Sequence, residues 1–424
     1  MTRNRRFFYA DPGLTDNLGH HANNCRFITR EARSRGMDVR VLAFSTIEAG
    51  LRAELDATPH FRALTAWLSD GDPICGWLNA FHVVAEITRE DLSRIGEVGP
   101  EDVMYFSSAL PAQLFALAQW MGAMPRNKLP LVVVEFGIDP GVDIVHGPEG
   151  TVYGFRDPRV DARAILYRSA AARIPAAIAP WLQMITFDQA SSASFCSVLG
   201  RHVGVLPTPH CATAPLRSRS AQRPVTVAVL GNQRPEKGYQ FMPDVARSLL
   251  QSNPDVRILC HNANPEGMRE TQEDLHEIAA KNPRLIMDER LACGEVWQQL
   301  LDASDLIILP YASPRFAISY SAIAVEAIAN AIPLIVPVGT SMARLVQEFG
   351  GAGTTFDQPD APSIVDAAQR ALERFDGIAA MAYSGSELWG HVHGPRNMLD
   401  ALLALAPKVT DVPGVQFPIT IAAA

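Results

Sequence analysis

The sequence holds 424 residues, 48% of them hydrophobic and 19% charged, too many for one ordinary core and enough for two globular domains or more. Its 37 basic and 45 acidic residues leave a net charge of −8, whereas a general nucleic-acid binder shows a basic excess or a basic stripe. A locally basic pocket is compatible with that balance, so a nucleotide ligand is not excluded.

The chain opens on Met1-Thr-Arg-Asn-Arg-Arg-Phe-Phe-Tyr9, which is basic but lacks the apolar stretch and cleavage site of a secretory signal. Arg6 to Ala10 reads as a first strand and Asp11 to Gly19 as a Gly/Asp/Asn loop. A helix follows, with Cys25, Ile28 and Ala32 on one face and Gly36 at its end, and Val39 to Phe44 supplies the next strand. Asp102 to Phe106, a helix around Ala109 to Gly122 and Leu129 to Glu135 continue in kind. Leu206 to Pro224 is rich in Pro, Ser and Arg, a linker composition.

The second half repeats the construction. Val225 to Leu230 is a strand, Gly231 to Gly238 a polar loop, Phe241, Val245 and Leu249 one face of a helix, and Val256 to Cys260 a strand. Asp305 to Pro310, a helix around Ser321 to Asn330, Pro333 to Pro337, and helices around Met342 to Phe349 and Ala361 to Phe375 follow. Continuous apolar strands between amphipathic helices imply parallel sheets covered on both faces. The predicted class is α/β: two Rossmann-like doubly wound domains facing a central cleft, where loops after the strands hold the ligand. The domains span residues 1–210 and 222–385, and residues 386–424 form a segment expected to cross back to the first. The tail beyond Pro407 is expected to be loosely held.

No apolar run is long and charge-free enough for a transmembrane helix, so a cytoplasmic protein is expected. The cysteines Cys25, Cys75, Cys196, Cys211, Cys260 and Cys293 lie far apart without a CxxC pair and read as free thiols, mostly buried.

Two loops carry the chemistry. Gly231-Asn-Gln-Arg-Pro-Glu-Lys-Gly238 leaves a strand and is expected to open a helix, with amides and the positive helix end facing the crevice. Arg234 adds a planar fork and Lys237 a point charge, which together suit a diphosphate. A solvated turn with a surface Arg and Lys fits the same octapeptide. Neither the Walker A nor the GxGxxG pattern is present. The second element runs from Leu309 to Pro337, with a helix starting near Ser319, Tyr320 and Ser321 as another anion-binding end. Glu326 interrupts that apolar helix and needs partners there. Sugar or ribose hydroxyls fit the need, as do an exposed position or an ion pair.

These residues resemble the C-terminal domain of glycosyltransferase family 4, the retaining GT-B enzymes. The likeness is carried by Gly231…Lys237-Gly238, by Glu326-Ala-Ile-Ala-Asn-Ala-Ile-Pro333 and by Val338 to Gly353, and is dense from Val225 to Leu372. Gly19-His20-His21 with its helix, Gly36 and the Val39 strand resembles the family's opening more loosely. The resemblance implies a GT-B architecture with an acceptor-side first domain and a nucleotide-sugar donor domain after it. It implies a glycosyltransferase of hexosyltransferase type that moves a sugar from a nucleotide-diphosphate sugar to a glycan, lipid-linked glycan or protein, as in polysaccharide biosynthesis.

Under that resemblance Arg234, Lys237 and Glu326 serve catalysis, the first two on the diphosphate and Glu326 on the ribose. Gly19, Gly231, Asn232, Ser319, Tyr320 and Ser321 bind the donor, and His20 or His21 contacts acceptor or donor. No metal and no cofactor beyond the donor co-substrate are expected, and peripheral membrane contact is compatible. The sequence departs from the family where the first carboxylate of Glu-x7-Glu is Ile318, Phe-Gly is Tyr320-Ser321 and an Arg is Asn232. The family's first-domain His has no placed counterpart, since Val132 to Asp139 offers carboxylates. Adjacent His20 and His21 should diverge on a helix, and His391-Val-His393 reads as a surface loop. Two other readings stand: a non-catalytic GT-B-like protein that binds a nucleotide or partner, and a nucleotide-sugar epimerase on the same fold.

Overall fold

The computed structural model describes residues 5–17, 19–64, 73–148, 150–219, 224–312, 314–349 and 353–407. Leu18, Ser313, residues 220–223 of the linker, residues 350–352 of the glycine-rich stretch and the tail beyond Pro407 lie outside them.

The first part supplies β1 (Arg6–Ala10), β2 (Asp38–Phe44), β3 (Ala57–Phe61), β4 (Val103–Phe106) and β5 (Leu131–Glu135). A hairpin of β6 (Val142–Gly147) and β7 (Gly150–Phe155) follows, then β8 (Leu182–Thr186) and β9 (Gly204–Val205). Seven of these form one sheet in the order β3-β2-β1-β4-β5-β8-β9, all pairings parallel. The second part supplies β10 (Val225–Val229), β11 (Val256–His261), β12 (Leu285–Asp288), β13 (Leu306–Ile308), β14 (Leu334–Pro337) and β15 (Gly353–Phe356). They form a six-stranded parallel sheet in the order β12-β11-β10-β13-β14-β15.

Every residue of β4, β5 and β10 is buried, which is why these strands read as unbroken apolar runs. Alternate residues feed opposite faces: Phe8, Ala10, Met104 and Phe106 enter one core cluster, Phe7, Tyr9, Val103 and Tyr105 another. The second sheet is sandwiched likewise, with Val227 and Val229 on one side and Ala228 and Leu230 on the other. In both sheets the strand order reverses next to the first strand, between β1 and β4 and between β10 and β13. That reversal opens a crevice beyond the strand ends.

The two halves are stitched together at several points. The helix Pro395–Ala404 places Met398, Leu399 and Leu402 in the cluster that holds Phe7 and Tyr9. The Pro/Ser/Arg-rich linker is not a free tether. Thr208 and His210 are buried, and Arg219 is clasped by the second half. Its Nε donates to Ser304 O at 3.0 Å, and its Nη1 to Asn330 O and Ala331 O at 3.0 Å each, just past the helix Ala322–Ala329. A cation at a helix C-terminus meets carbonyls with no partner in the helix. Arg219→Ala is expected to lower stability by about 2–4 kcal/mol, because these buried carbonyls lose a charged donor. A thermal melt checks this, and an unchanged midpoint would contradict it.

Among the described residues no helix is long and apolar enough to cross a membrane.

Candidate functional site

The loop after β10 departs from its expected form. Pro235–Lys237 makes a single tight turn, Tyr239–Phe241 a second, and the long helix begins only at Met242. The amides of Lys237 and Gly238 are engaged inside the turn, donating to Arg234 O and Pro235 O at 2.9 Å each. Those of Gly231 and Gln233 donate to His261 Nδ1 at 3.0 Å and Asn262 Oδ1 at 3.2 Å. No long helix therefore aims its N-terminus from this loop, and anion binding here falls to the side chains. Proline at the head of the turn and glycine at φ +71 after it explain why the chain closes a turn before it propagates a helix.

Buried His261 fixes the loop. Its Nδ1 accepts from Gly231 N while its Nε2 lies 2.8 Å from Arg290 O, so the proton sits on Nε2. Burial lowers its pKa and favours that neutral form.

Lys237 Nζ donates to Asn232 O at 3.0 Å and sits 5.8 Å from the centre of the Tyr311 ring. Arg234 is about half exposed and pairs with Glu236 at 3.2 Å. Both line one cleft of about 340 Å³ between the two sheets, at the small end of ligand-sized sites.

The helix Ala322–Ala329 does present its N-terminus to that cleft. Ser321 caps it by accepting from Ala324 N at 3.4 Å, and Ser321, Ala322 and Ile323 form cleft wall. Glu326 is only 7% exposed. Its Oε1 accepts from Asn23 Nδ2 of the first half at 3.2 Å, and its Oε2 accepts from the Trp297 indole N–H. His210 Nδ1 lies 3.1 Å from Oε1, within ion-pair reach but off line for a hydrogen bond. An exposed position is thus ruled out for Glu326. A carboxylate has about four acceptor sites, so capacity for a ligand hydroxyl remains.

Gly19, His20, Gly231, Asn232, Arg234, Lys237, Ser319, Tyr320, Ser321 and Glu326 all line the cleft. His21 does not. Its Nδ1 sits 2.9 Å from Oδ2 of the fully buried Asp11, inside the first half. Burial opposes charge on His21, but Asp11 more than compensates and its pKa is raised. The two histidines do not diverge: their rings stack at 4.3 Å, because His21 turns back to Asp11. Glycine at position 19 is favoured by its φ of +75 and not by crowding, for a Cβ there would meet no protein atom within 4 Å.

Sequence reasoning missed Asn23, Ile138, Trp297 and Tyr311, which also form cleft wall. Their signal is topological: each follows or faces a strand end, and no local spacing marks it. His393 is no surface ligand; its ring stacks on Trp389 at 3.9 Å and its Nδ1 accepts from Thr208 N at 3.1 Å. Burial lowers its pKa to about 4. Among the described residues no group of three or more His, Cys, Asp or Glu is placed to hold a metal ion.

No family model matches the sequence, and no curated protein matches it. Solved structures do. HepE of Anabaena, determined with UDP and glucose, is 14% identical with a TM-score of 0.62, over 95% of this chain and 99% of that one. The trehalose-6-phosphate synthase OtsA is 10% identical with a TM-score of 0.64, over 96% and 100%. Sucrose-phosphate synthase from Thermosynechococcus elongatus is 10% identical with a TM-score of 0.62, over 95% and 98%.

The chain has the GT-B fold. Within this GT-B frame the departure at Ile318 acquires a physical reason. Ile318 is 2% exposed and belongs to the core cluster of the first domain, with Phe136 and Phe195. Its carbonyl accepts from Ser191 Oγ at 2.7 Å, Ser319 Oγ from Asp139 N at 3.2 Å, and Tyr320 N donates to Gly137 O at 3.2 Å. The segment in which the motif resemblance leads to a carboxylate is here an apolar plug in the opposite domain.

Proposed function

We propose that this protein transfers a sugar from a nucleotide-diphosphate sugar to an acceptor across the interdomain cleft. The observation that carries the reading is convergence: Arg234, Lys237 and the N-terminus of the helix Ala322–Ala329 meet in one cleft at the facing sheet crevices. Each well-placed donor on a departing diphosphate contributes about 3–4 kcal/mol to the transition state. Arg234 and Lys237 take that role, while Gly231, Asn232, Ser319, Tyr320 and Ser321 shape the donor site. Glu326 accepts a ribose hydroxyl with its remaining capacity. HepE has been solved with UDP and with UDP-glucose, which supports a nucleotide-sugar ligand.

Membership of family 4 and a retaining, hexose-transferring outcome rest on the motif resemblance. The acceptor class is a glycan, lipid-linked glycan or protein, the donor is the sole co-substrate without a further cofactor, and the site of action is the cytoplasm. Domain limits near residues 210 and 222 follow the linker.

A second reading has one observation in its favour. With Ile318 buried in the first domain, the carboxylate the family directs to the donor sugar is missing, as in a nucleotide-binding protein that does not turn over. An epimerase is less favoured: it calls for several cleft carboxylates and histidines, and Glu326 and His20 are those among the described lining residues.

Donor consumption followed by NMR, with and without an acceptor panel, separates the three. Acceptor-dependent consumption supports transfer, acceptor-independent conversion an epimerase, and binding without consumption the third. Glu326→Gln is expected to lower turnover about ten-fold or more through weakened ribose contact; full activity would make Glu326 purely structural.

A further inference from the structure

A polar chain lies under the first-domain wall of the cleft, and the phosphate assignment does not use it. Glu135 ends β5 at 2% exposure. Its Oε2 accepts from Ser108 N at 2.6 Å, from Ser107 Oγ at 3.3 Å and from Ser108 Oγ at 3.4 Å. Ser108 Oγ in turn lies 3.4 Å from Nε2 of the cleft residue His20. The last two distances lie at the long end of the hydrogen-bond range.

Ser108 itself is strained. Its φ of 52 puts a non-glycine residue in the left-handed region, which costs about 1–2 kcal/mol. The backbone on either side is locked, with Ser107 N on Ala10 O and Ala109 N on Glu135 O, both at 2.9 Å. The strained geometry is what aims the Ser108 amide and hydroxyl at one carboxylate oxygen. Strain of this kind is retained where the geometry serves a site.

We propose that Glu135, acting through Ser108, is a positioning residue that holds His20 as a neutral ring protonated on Nε2, leaving Nδ1 to accept a hydrogen bond from a hydroxyl of the bound sugar or acceptor. This rests on the glycosyl-transfer reading of the cleft. With Glu135 ionised, Ser108 Oγ–H donates to the carboxylate and accepts from His20 Nε2–H, so every donor in the chain points one way. The surroundings favour the neutral ring. Burial first, then the neighbouring His21, His210 and Lys237, hold the His20 pKa well below the usual imidazole range. Glu135 is lifted to about 7, by burial and then by Asp11, while the Ser108 amide, His21 and Ser107 oppose the rise. Buried Tyr105 and Tyr167 and partly buried Tyr320 also interact with this carboxylate.

The decisive variant is Ser108→Gly. It removes the hydroxyl, keeps the amide that Glu135 accepts from, and takes the left-handed φ without strain. Nitrogen-15 NMR of the histidine rings in the full chain reads the His20 tautomer directly. The native ring should be neutral and Nε2-protonated above about pH 7, where Glu135 is ionised, and Ser108→Gly should mix the tautomers there. kcat should fall about ten-fold, with nucleoside-diphosphate affinity unchanged and thermal stability equal or higher. Native kcat should rise with pH through about 7 as Glu135 ionises, and Glu135→Gln should flatten that step. A KM change for the donor assigns the hydroxyl to the donor sugar, and one for the acceptor assigns it to the acceptor. An unchanged His20 spectrum with unchanged kcat in Ser108→Gly would overturn the proposal. Should the native chain bind no nucleoside diphosphate, the transfer reading fails, while the ring spectrum still decides the relay.

Discussion

Ile318→Glu is expected to destabilise the protein by more than about 4 kcal/mol, and not to restore a donor contact. The side chain at this position is buried with Phe136 and Phe195 in the first-domain core, so the new carboxylate would enter an apolar cluster. Its backbone cannot swing away cheaply, since Ile318 O is held by Ser191 Oγ and the next residues are bonded to Asp139 N and Gly137 O. Leaving a charge there without a partner is among the costliest single changes available. Ile318→Val, by contrast, removes one methyl and should cost about 0.5–1.5 kcal/mol. Thermal melts of both variants check the contrast. A glutamate variant as stable as the native chain, with higher turnover, would mean that Ile318 faces the donor after all.

Gly238→Ala is expected to cost more than about 3 kcal/mol and to abolish nucleotide binding. A Cβ at this position would sit 1.7 Å from Pro310 O, on the loop that follows β13, at a φ of +71. Backbone has to move, because the clash is with a carbonyl and not with a flexible side-chain tip. The two cleft loops are further joined by Ala312 N donating to Glu236 O at 3.1 Å, so a shift at one displaces the other. Lys237 precedes the clash and would be displaced with it. Calorimetry and a melt on the same variant check the result; wild-type affinity at wild-type stability would contradict it.

The strands were legible because burial on both faces forces continuous apolar runs, and Arg6–Ala10 is found at the limits read from the sequence. Strand order was not written in local pattern, since pairing β1 with β4 joins residues about a hundred positions apart. Glycines and charges flagged Gly231, Arg234, Lys237 and Gly238, yet the expected helix mouth at this loop is a tight turn. Local propensity after Pro235 decided that, ahead of the helical period further on.

Glu326 was readable as a carboxylate in need of partners. Its partners Asn23, Trp297 and His210 were not, because each arrives from a distant element. The linker composition pointed to solvent, but composition cannot single out one arginine that meets a helix C-terminus. Ile318 stood out as a departure from a family pattern. Only the fold shows that it fills the neighbouring domain.

Titration calorimetry of the native chain with a panel of nucleoside diphosphates, repeated on Arg234→Ala and Lys237→Ala, tests the cleft assignment most directly. The expected result is binding of at least one diphosphate by the native chain, weakened by about 1.5–3 kcal/mol in each variant as a charged hydrogen bond is lost. Equal affinity in all three proteins, or no binding to any of them, would contradict it.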